Sequence, residues 1–260
     1  MNLGLNDKLA LVTASTSGLG FAVAKALAAE GARLVICGRD EGRVGVAVER
    51  LAASGRAHGF VADVGNPNSL EELFGHVKET LGGLDILVNN AGGPPAGDFE
   101  DLSEAQWDLA YGLTLQSVVR STRLAVPMMR QRGGGRMLTI VSSSVKRPLP
   151  NLLLSNVFRP AVQGLCKSLS ITLAGDNIQV NCLAPGRVET ERIDALDAGR
   201  AAREGKTKEE VRAQSVAEIP MGRLGDPDEF GQVGAFLCSD AAKYMTGSTV
   251  FVDGGAITCI

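Results

Sequence analysis

Short aliphatic and β-branched runs alternate along the chain with longer Ala- and Leu-rich amphipathic segments. "KLALVTA" leads into "GFAVAKALAAEGA", "RLVICG" into "EGRVGVAVERLAASG", and "AHGFVADV" into "NSLEELFGHVKETLG". "LDILVNN" is followed by a helical pattern over 103–132. After that come "GRMLTIVSSS", a helical pattern over 152–174, "NIQVNCLAPG", a polar segment, a helix over 226–239 and "STVFVDGG". Apolar runs of this length, bounded by Gly and Asn, read as strands buried on both faces; the longer periodic segments read as helices. Seven strands alternating with helices predict the α/β class: one doubly wound domain over 1–260, its mostly parallel seven-stranded sheet covered on both faces. One segment breaks the texture. "ETERIDALDAGRAAREGKTKEEVRAQ", within an insert at about 189–216, is polar enough for a mobile flap or helix pair on the substrate side. It reads equally well as a solvated surface insert.

Composition narrows the function. The 260 residues are 45% hydrophobic, enough for one large core, and the formal charge of -3 offers no basic field for nucleic acid. No window reaches the roughly 18 apolar residues needed to span a bilayer, and no charged leader precedes an apolar run. The expectation is a cytoplasmic protein acting on a small molecule, with neither membrane nor nucleic-acid partner. Cys37, Cys166, Cys182, Cys238 and Cys259 are scattered, with only His58 and His76 to join them. They read as reduced, mostly buried thiols, and no metal site is expected.

"TASTSGLG" follows the first strand and opens the first helix. Gly18 and Gly20 permit close approach of a phosphate, and a helix start supplies free N–H donors and the positive end of the dipole. An ordinary tight strand-to-helix turn is the alternative. Other motifs add to this one: "DV" at 63–64, "NNAG" at 89–92, "PGRVET" at 185–190 and "MTGSTVFVDGG" at 245–255. In this order and at these intervals they resemble the short-chain dehydrogenase/reductase family, in particular its 3-oxoacyl-ACP-reductase-like members. Ala14 replaces the first glycine of the family's Thr-Gly-x-x-x-Gly-x-Gly.

The resemblance implies a Rossmann-type sheet with a dinucleotide across the carboxyl ends of its strands. Thr13, Ser15, Thr16, Ser17, Gly18, Leu19 and Gly20 would form the phosphate turn. Asp63 and Val64 would meet the adenine, with Asn90, Ala91 and Gly92 beside them. Pro185, Gly186, Val188 and Thr190 would form the nicotinamide loop. At the end of the second strand, where an NAD-preferring site usually carries an acid, stand Gly38 and Arg39. A guanidinium pairs well with a 2′-phosphate, so NADP(H) is the expected cofactor and NAD(H) the alternative. Arg39 ending its strand in solvent is the plainer reading.

The chemical end departs from the family, in which a tyrosine transfers the proton and a lysine four residues on lowers its pKa. A serine there binds the carbonyl oxygen, and an asparagine anchors a relay water. Ser142 falls at the serine. Ser155 falls at the tyrosine, Arg159 at the lysine and Thr114 at the asparagine. Tyr111 and Tyr244, the only tyrosines, are followed four residues later by Leu115 and Ser248, so neither restores the motif. A serine hydroxyl lies several units above the tyrosine pKa of about 10 and needs an activating base. Arg159 can bind ribose hydroxyls, or a substrate carboxylate, and could hold that lysine's place at the ribose. Lys146, Arg147 and Tyr111 are weaker donor candidates. Pro160 either sits inside the start of a helix or interrupts one already begun.

Three functions stay open: an NADP(H)-dependent oxidoreductase on a carbonyl or alcohol with proton donation rerouted; a non-catalytic dinucleotide-binding sensor or subunit; and another reaction in which Arg159 holds an anionic ligand. The resemblance also implies a homotetramer, or a dimer, paired through the helices over 103–132 and 152–174 and the last strand.

Overall fold

The computed structural model describes residues 2–52 and 56–259. Its strands are β1 Leu9–Val12, β2 Arg33–Gly38, β3 Arg56–Val61, β4 Ile86–Asn89, β5 Gly135–Ile140, β6 Ile178–Pro185 and β7 Thr249–Val252. They form one sheet in the order β3-β2-β1-β4-β5-β6-β7, and each neighbouring pair is parallel. The expected mostly parallel sheet is therefore parallel throughout, because helical crossovers return the chain to the same end of the sheet before each strand.

The helices are α1 Gly18–Ala29, α2 Glu41–Ala52, α3 Pro67–Leu81, α4 Glu104–Ala110, α5 Ser117–Gln131, α6 Leu153–Thr172, α7 Glu191–Glu204, α8 Lys208–Ala217 and α9 Pro227–Leu237. Several starts are written locally. Asn66 accepts from the amides of Asn68 and Ser69 ahead of α3, with Pro67 in the first position. Asp226 with Glu229, and Thr207 with Glu210, close capping boxes on α9 and α8.

Period-two alternation sends Leu9 and Leu11 into the core beneath α3, α5 and α6, and Ala10 and Val12 into the core beneath α1, α2 and α9. Both faces are covered, which is why β1 has no polar residue. Among the described residues no helix is long and apolar enough to cross a membrane.

The structure revises three expected boundaries. The strand read over 57–64 stops at Val61 because Asp63 turns the chain, its Oδ1 accepting from the Gly65 amide at 2.9 Å. The helix over 103–132 is three pieces, with a π-helical segment at Tyr111–Gln116 between α4 and α5. The polar insert is a helix pair, α7 and α8, that runs on to Ala217. Asp197, 1% exposed, joins Arg187 and Arg212 beneath that pair. The last three positions of the helix expected over 41–55 lie outside the described residues.

Candidate active site

The chain turns from one half of the sheet to the other between β1 and β4, and the crevice beyond their carboxyl ends is where open α/β sheets bind ligands. Thr13 and Asn90 lock these two ends together. The Asn90 amide donates to Thr13 Oγ1 at 2.8 Å, which in turn donates to the Asn90 carbonyl at 2.7 Å. Asn90 Nδ2 donates to the Ala14 carbonyl at 2.9 Å. Ser15 ties the same turn to β2 through its amide and the Cys37 carbonyl. Gly20 is required by this arrangement: a Cβ there would stand 2.5 Å from Asn90 Nδ2 and 3.0 Å from the Ala14 carbonyl oxygen.

Ala14 adopts φ +46, the left-handed conformation that explains why the family's pattern has glycine at this position. Ser17, at the start of α1, makes no side-chain cap, and the first turn contains no acid. The opening amides of α1 are left to an outside acceptor, which is what a bound phosphate supplies. Leu19 packs down into the core under α1, and Thr16 lies against Gly38. Across the crevice is Thr190, whose Cγ2 is 3.8 Å from where a Gly18 Cβ would be. Thr190 also caps α7, accepting from the Ile193 amide at 3.4 Å. Pro185 and Gly186 close β6 beside β7, and Val188 bridges to Gly225. These contacts fix the loop's path at the crevice.

At the outer end, Arg39 is exposed and has no ion pair among the described residues. A side chain at Gly38 would meet Thr16 Cγ2 at 2.6 Å, so the usual NAD-selecting acid could enter only by displacing Thr16. Arg43, one turn into α2, donates to Ser17 Oγ at 3.2 Å and pairs with Glu191 at 2.8 Å. Val64 is buried against the floor of the crevice, with Asp63 half-buried beside it.

At the chemical end, Ser142 leaves β5 and caps a short turn, its Oγ accepting from the Ser144 amide at 3.1 Å. That leaves the Ser142 proton free for an oxygen in the crevice. Ser144 Oγ reaches the Ser155 carbonyl at 3.4 Å, joining this turn to α6. Ser155 is buried, and its hydroxyl makes no hydrogen bond among the described residues, so no base activates it. Arg159, one turn further, is 8% exposed and donates from Nη1 to the Ile140 carbonyl at 2.8 Å. Its Nε has no partner, and neither has Thr114 Oγ1 in the π segment. Thr114 and Arg159 line one small cavity with Asn89, Asn90 and Ala91. Burial, reinforced by the positive field of Arg192, pushes the Arg159 guanidinium down to about 10. It remains charged at neutral pH.

A family model described as enoyl-(acyl carrier protein) reductase matches residues 13–257. The chain belongs to the short-chain dehydrogenase/reductase family. Dehydrogenase/reductase SDR family member 4 of Oryctolagus cuniculus is 39% identical over 97% of this chain and 94% of its own length. L-sorbose reductase from Gluconobacter frateurii, solved with NADPH and L-sorbose, is 32% identical, with a TM-score of 0.95 and 100% of both chains covered. A single-site variant of actinorhodin polyketide ketoreductase, solved with NADPH, is 30% identical with a TM-score of 0.94, covering 97% of this chain and 98% of its own.

Against that family pattern, the structure gathers Ser142, Ser155, Arg159 and Thr114 around the ends of β5 and α6. The weaker donors stay outside. Lys146 and Arg147 are exposed, and Tyr244 is fully solvent-exposed. Tyr111 faces outward, its hydroxyl accepting from Gln116 and its ring tilted against Phe158. Pro160 interrupts a helix already begun, because α6 starts at Leu153. Three residues escaped sequence reading. Arg43, in the first turn of α2, lies four positions beyond Arg39, which stands in the turn between β2 and α2. Asn156 holds both the amide and the carbonyl of Leu149, each at 2.9 Å, and braces the loop after Ser142. Arg192, two positions after Thr190, donates to the Pro94 carbonyl at 2.8 Å and is the third.

Proposed function

We propose that this family member binds a nicotinamide dinucleotide, with preference for NADP(H), and reduces a carbonyl group or oxidises the corresponding alcohol using a proton source other than tyrosine. The observation that carries the reading is the crevice itself: unpaired α1 amides at one end and, at the other, Ser142 with its hydroxyl proton uncommitted, joined by the Thr13–Asn90 lock. The opening turn of α1 would hold the phosphates, with Thr190 and Asn90 lining the path to the reactive end. Arg39 and Arg43 would hold a 2′-phosphate, because two guanidiniums flank that corner while its carboxylates are engaged, Glu191 with the Arg43 side chain and Asp40 with the Arg43 amide at 2.8 Å. When bound, the cofactor supplies or accepts the hydride.

The chain's own residues then have a limited task. Ser142 donates to the carbonyl oxygen and holds it in line. Thr114 Oγ1 and Arg159 Nε, both lacking partners, border one small cavity, and a water entering from the crevice beside them would give the carbonyl oxygen the proton that a tyrosine would otherwise supply, the hydroxide left behind taking a proton from bulk water. Replacing a tuned general acid by water lowers the rate by about 10² to 10⁴, so turnover is slow. The unactivated Ser155 favours a second reading, a dinucleotide-binding protein without turnover.

Fluorescence titration with NADPH and NADH tests the cofactor, and a carbonyl panel followed by NADPH absorbance tests the reaction. Saturable binding with NADPH preference, and turnover lost in Ser142→Ala, is the expected result. Tight NADPH binding without turnover of any carbonyl or alcohol gives the second reading. For assembly, we propose pairing of copies across α4, the start of the π segment and α6. Leu109, Tyr111, Val157 and Ile171 expose apolar surface there, at 56%, 43%, 42% and 71%. Sedimentation analysis separates a tetramer, a dimer and a monomer.

A further inference from the structure

Arg159 and Arg192 lack acidic partners among the described residues. Their neighbours on the insert do not: Arg187 pairs with Asp197, Arg200 with Glu204, and Arg212 with Asp194 and Asp197. Both unpaired guanidiniums approach the loop after β4. Arg159 comes from below, lining a cavity with Asn90 and Ala91. Arg192 comes from the first turn of α7, its Nη2 on the Pro94 carbonyl. Its guanidinium passes so close over Gly93 that a Cβ there would stand 2.8 Å from Nε. Of Arg159's nitrogens, Nη1 is used by Ile140 and Nε is sealed without a partner. Nη2 has no protein partner among the described residues and is not sealed from solvent. Two cations facing one crevice, one of them more than nine-tenths buried, form an unfavourable arrangement that an anion between them would relieve.

We propose that Arg159 and Arg192 bind a carboxylate of the substrate, so that the chain acts on oxo acids in preference to neutral ketones. This deepens the reductase reading and rests on it. A planar carboxylate suits two guanidiniums that each keep free N–H donors. Its other possible source, an anionic group of the cofactor, is separated by the test.

The experiment is calorimetric titration of the full chain saturated with NADP+, using benzoylformate against methyl benzoylformate and acetoacetate against methyl acetoacetate. In at least one pair the acid is expected to bind about tenfold or more tightly than its ester, with the gap narrowing as salt is added. Arg192→Met, on a partly exposed side chain, should bring the acid-to-ester ratio near one. Lys243→Met, an exposed charge outside the crevice, should leave that ratio unchanged. Equal affinities for acid and ester in both pairs, or no binding of either acid, overturn the proposal. So does an Arg192→Met variant that loses NADP+ affinity while keeping the ratio, since Arg192 would then serve the cofactor. If NADP+ itself does not bind, the reductase reading fails, and the same acid and ester pairs titrated into the cofactor-free chain still decide the carboxylate claim.

Discussion

Gly20→Ala probes the phosphate turn most sharply. The new methyl would meet Asn90 Nδ2 at 2.5 Å, the Ala14 oxygen at 3.0 Å and Ser15 Cα at 3.2 Å. The first contact forces Asn90 away and breaks its 2.9 Å bond to Ala14, the clasp between phosphate turn and β4. Losing that bond costs about 1 kcal/mol and the overpacking about 1–3 kcal/mol more. At roughly 2–4 °C per kcal/mol for a chain near this size, Tm should fall by about 4–16 °C. The mechanism predicts coupling as well as loss. In an Asn90→Ala background the 2.5 Å contact no longer exists, so the same Gly20→Ala step should cost about 1–2 kcal/mol less. Chemical denaturation of the four proteins in this cycle, monitored by circular dichroism, gives the coupling energy. Strict additivity, within about 0.5 kcal/mol, would refute the assignment of Gly20 to the Asn90 contact.

Three further outcomes follow from single sites. Ala14→Gly removes a left-handed penalty of about 1–2 kcal/mol at the cost of a looser unfolded chain, so Tm should rise by a few degrees; a lower Tm contradicts the φ argument. Arg39→Ala should weaken NADPH binding about tenfold and leave NADH binding unaltered, measured by nicotinamide fluorescence; equal losses for both would mean that Arg39 does not read the 2′-phosphate. A thiol reagent at neutral pH should label the exposed Cys259 quickly and the four buried cysteines slowly, because burial shields all four from the reagent and also pushes the thiols of Cys37 and Cys238 up to about 12.

The sheet was legible because each strand buries both faces and therefore reads as an unbroken apolar run. The last helix's start was legible because its cap is local, at Asp226, whereas the helix read from Asn68 begins at Pro67 behind the Asn66 cap. What stayed hidden depends on contacts distant in the chain. Nothing in "YGLTLQ" announces the π segment that carries Thr114, since widening a helix by one residue is decided by what packs against it. Ser155 and Arg159 were located by register, yet the loss of any base near Ser155 needed coordinates. Arg192 reads as one more charge in a charged insert. Only the fold brings it to Gly93, 99 positions away in sequence, and separates it from the acids that pair its neighbours.

The central claim is that hydride transfer persists here without the family's tyrosine. Single-turnover mixing of the protein with 4-deuterated NADPH and the oxo acid that binds most tightly, with mass analysis of the alcohol, tests it most directly. The account predicts deuterium on the carbinol carbon, formed slowly in the native chain and abolished in Ser142→Ala. NADPH bound at full occupancy with no deuterium transferred, while Ser155→Tyr combined with Arg159→Lys does transfer it, would contradict the account and leave a centre that binds its cofactor without chemistry.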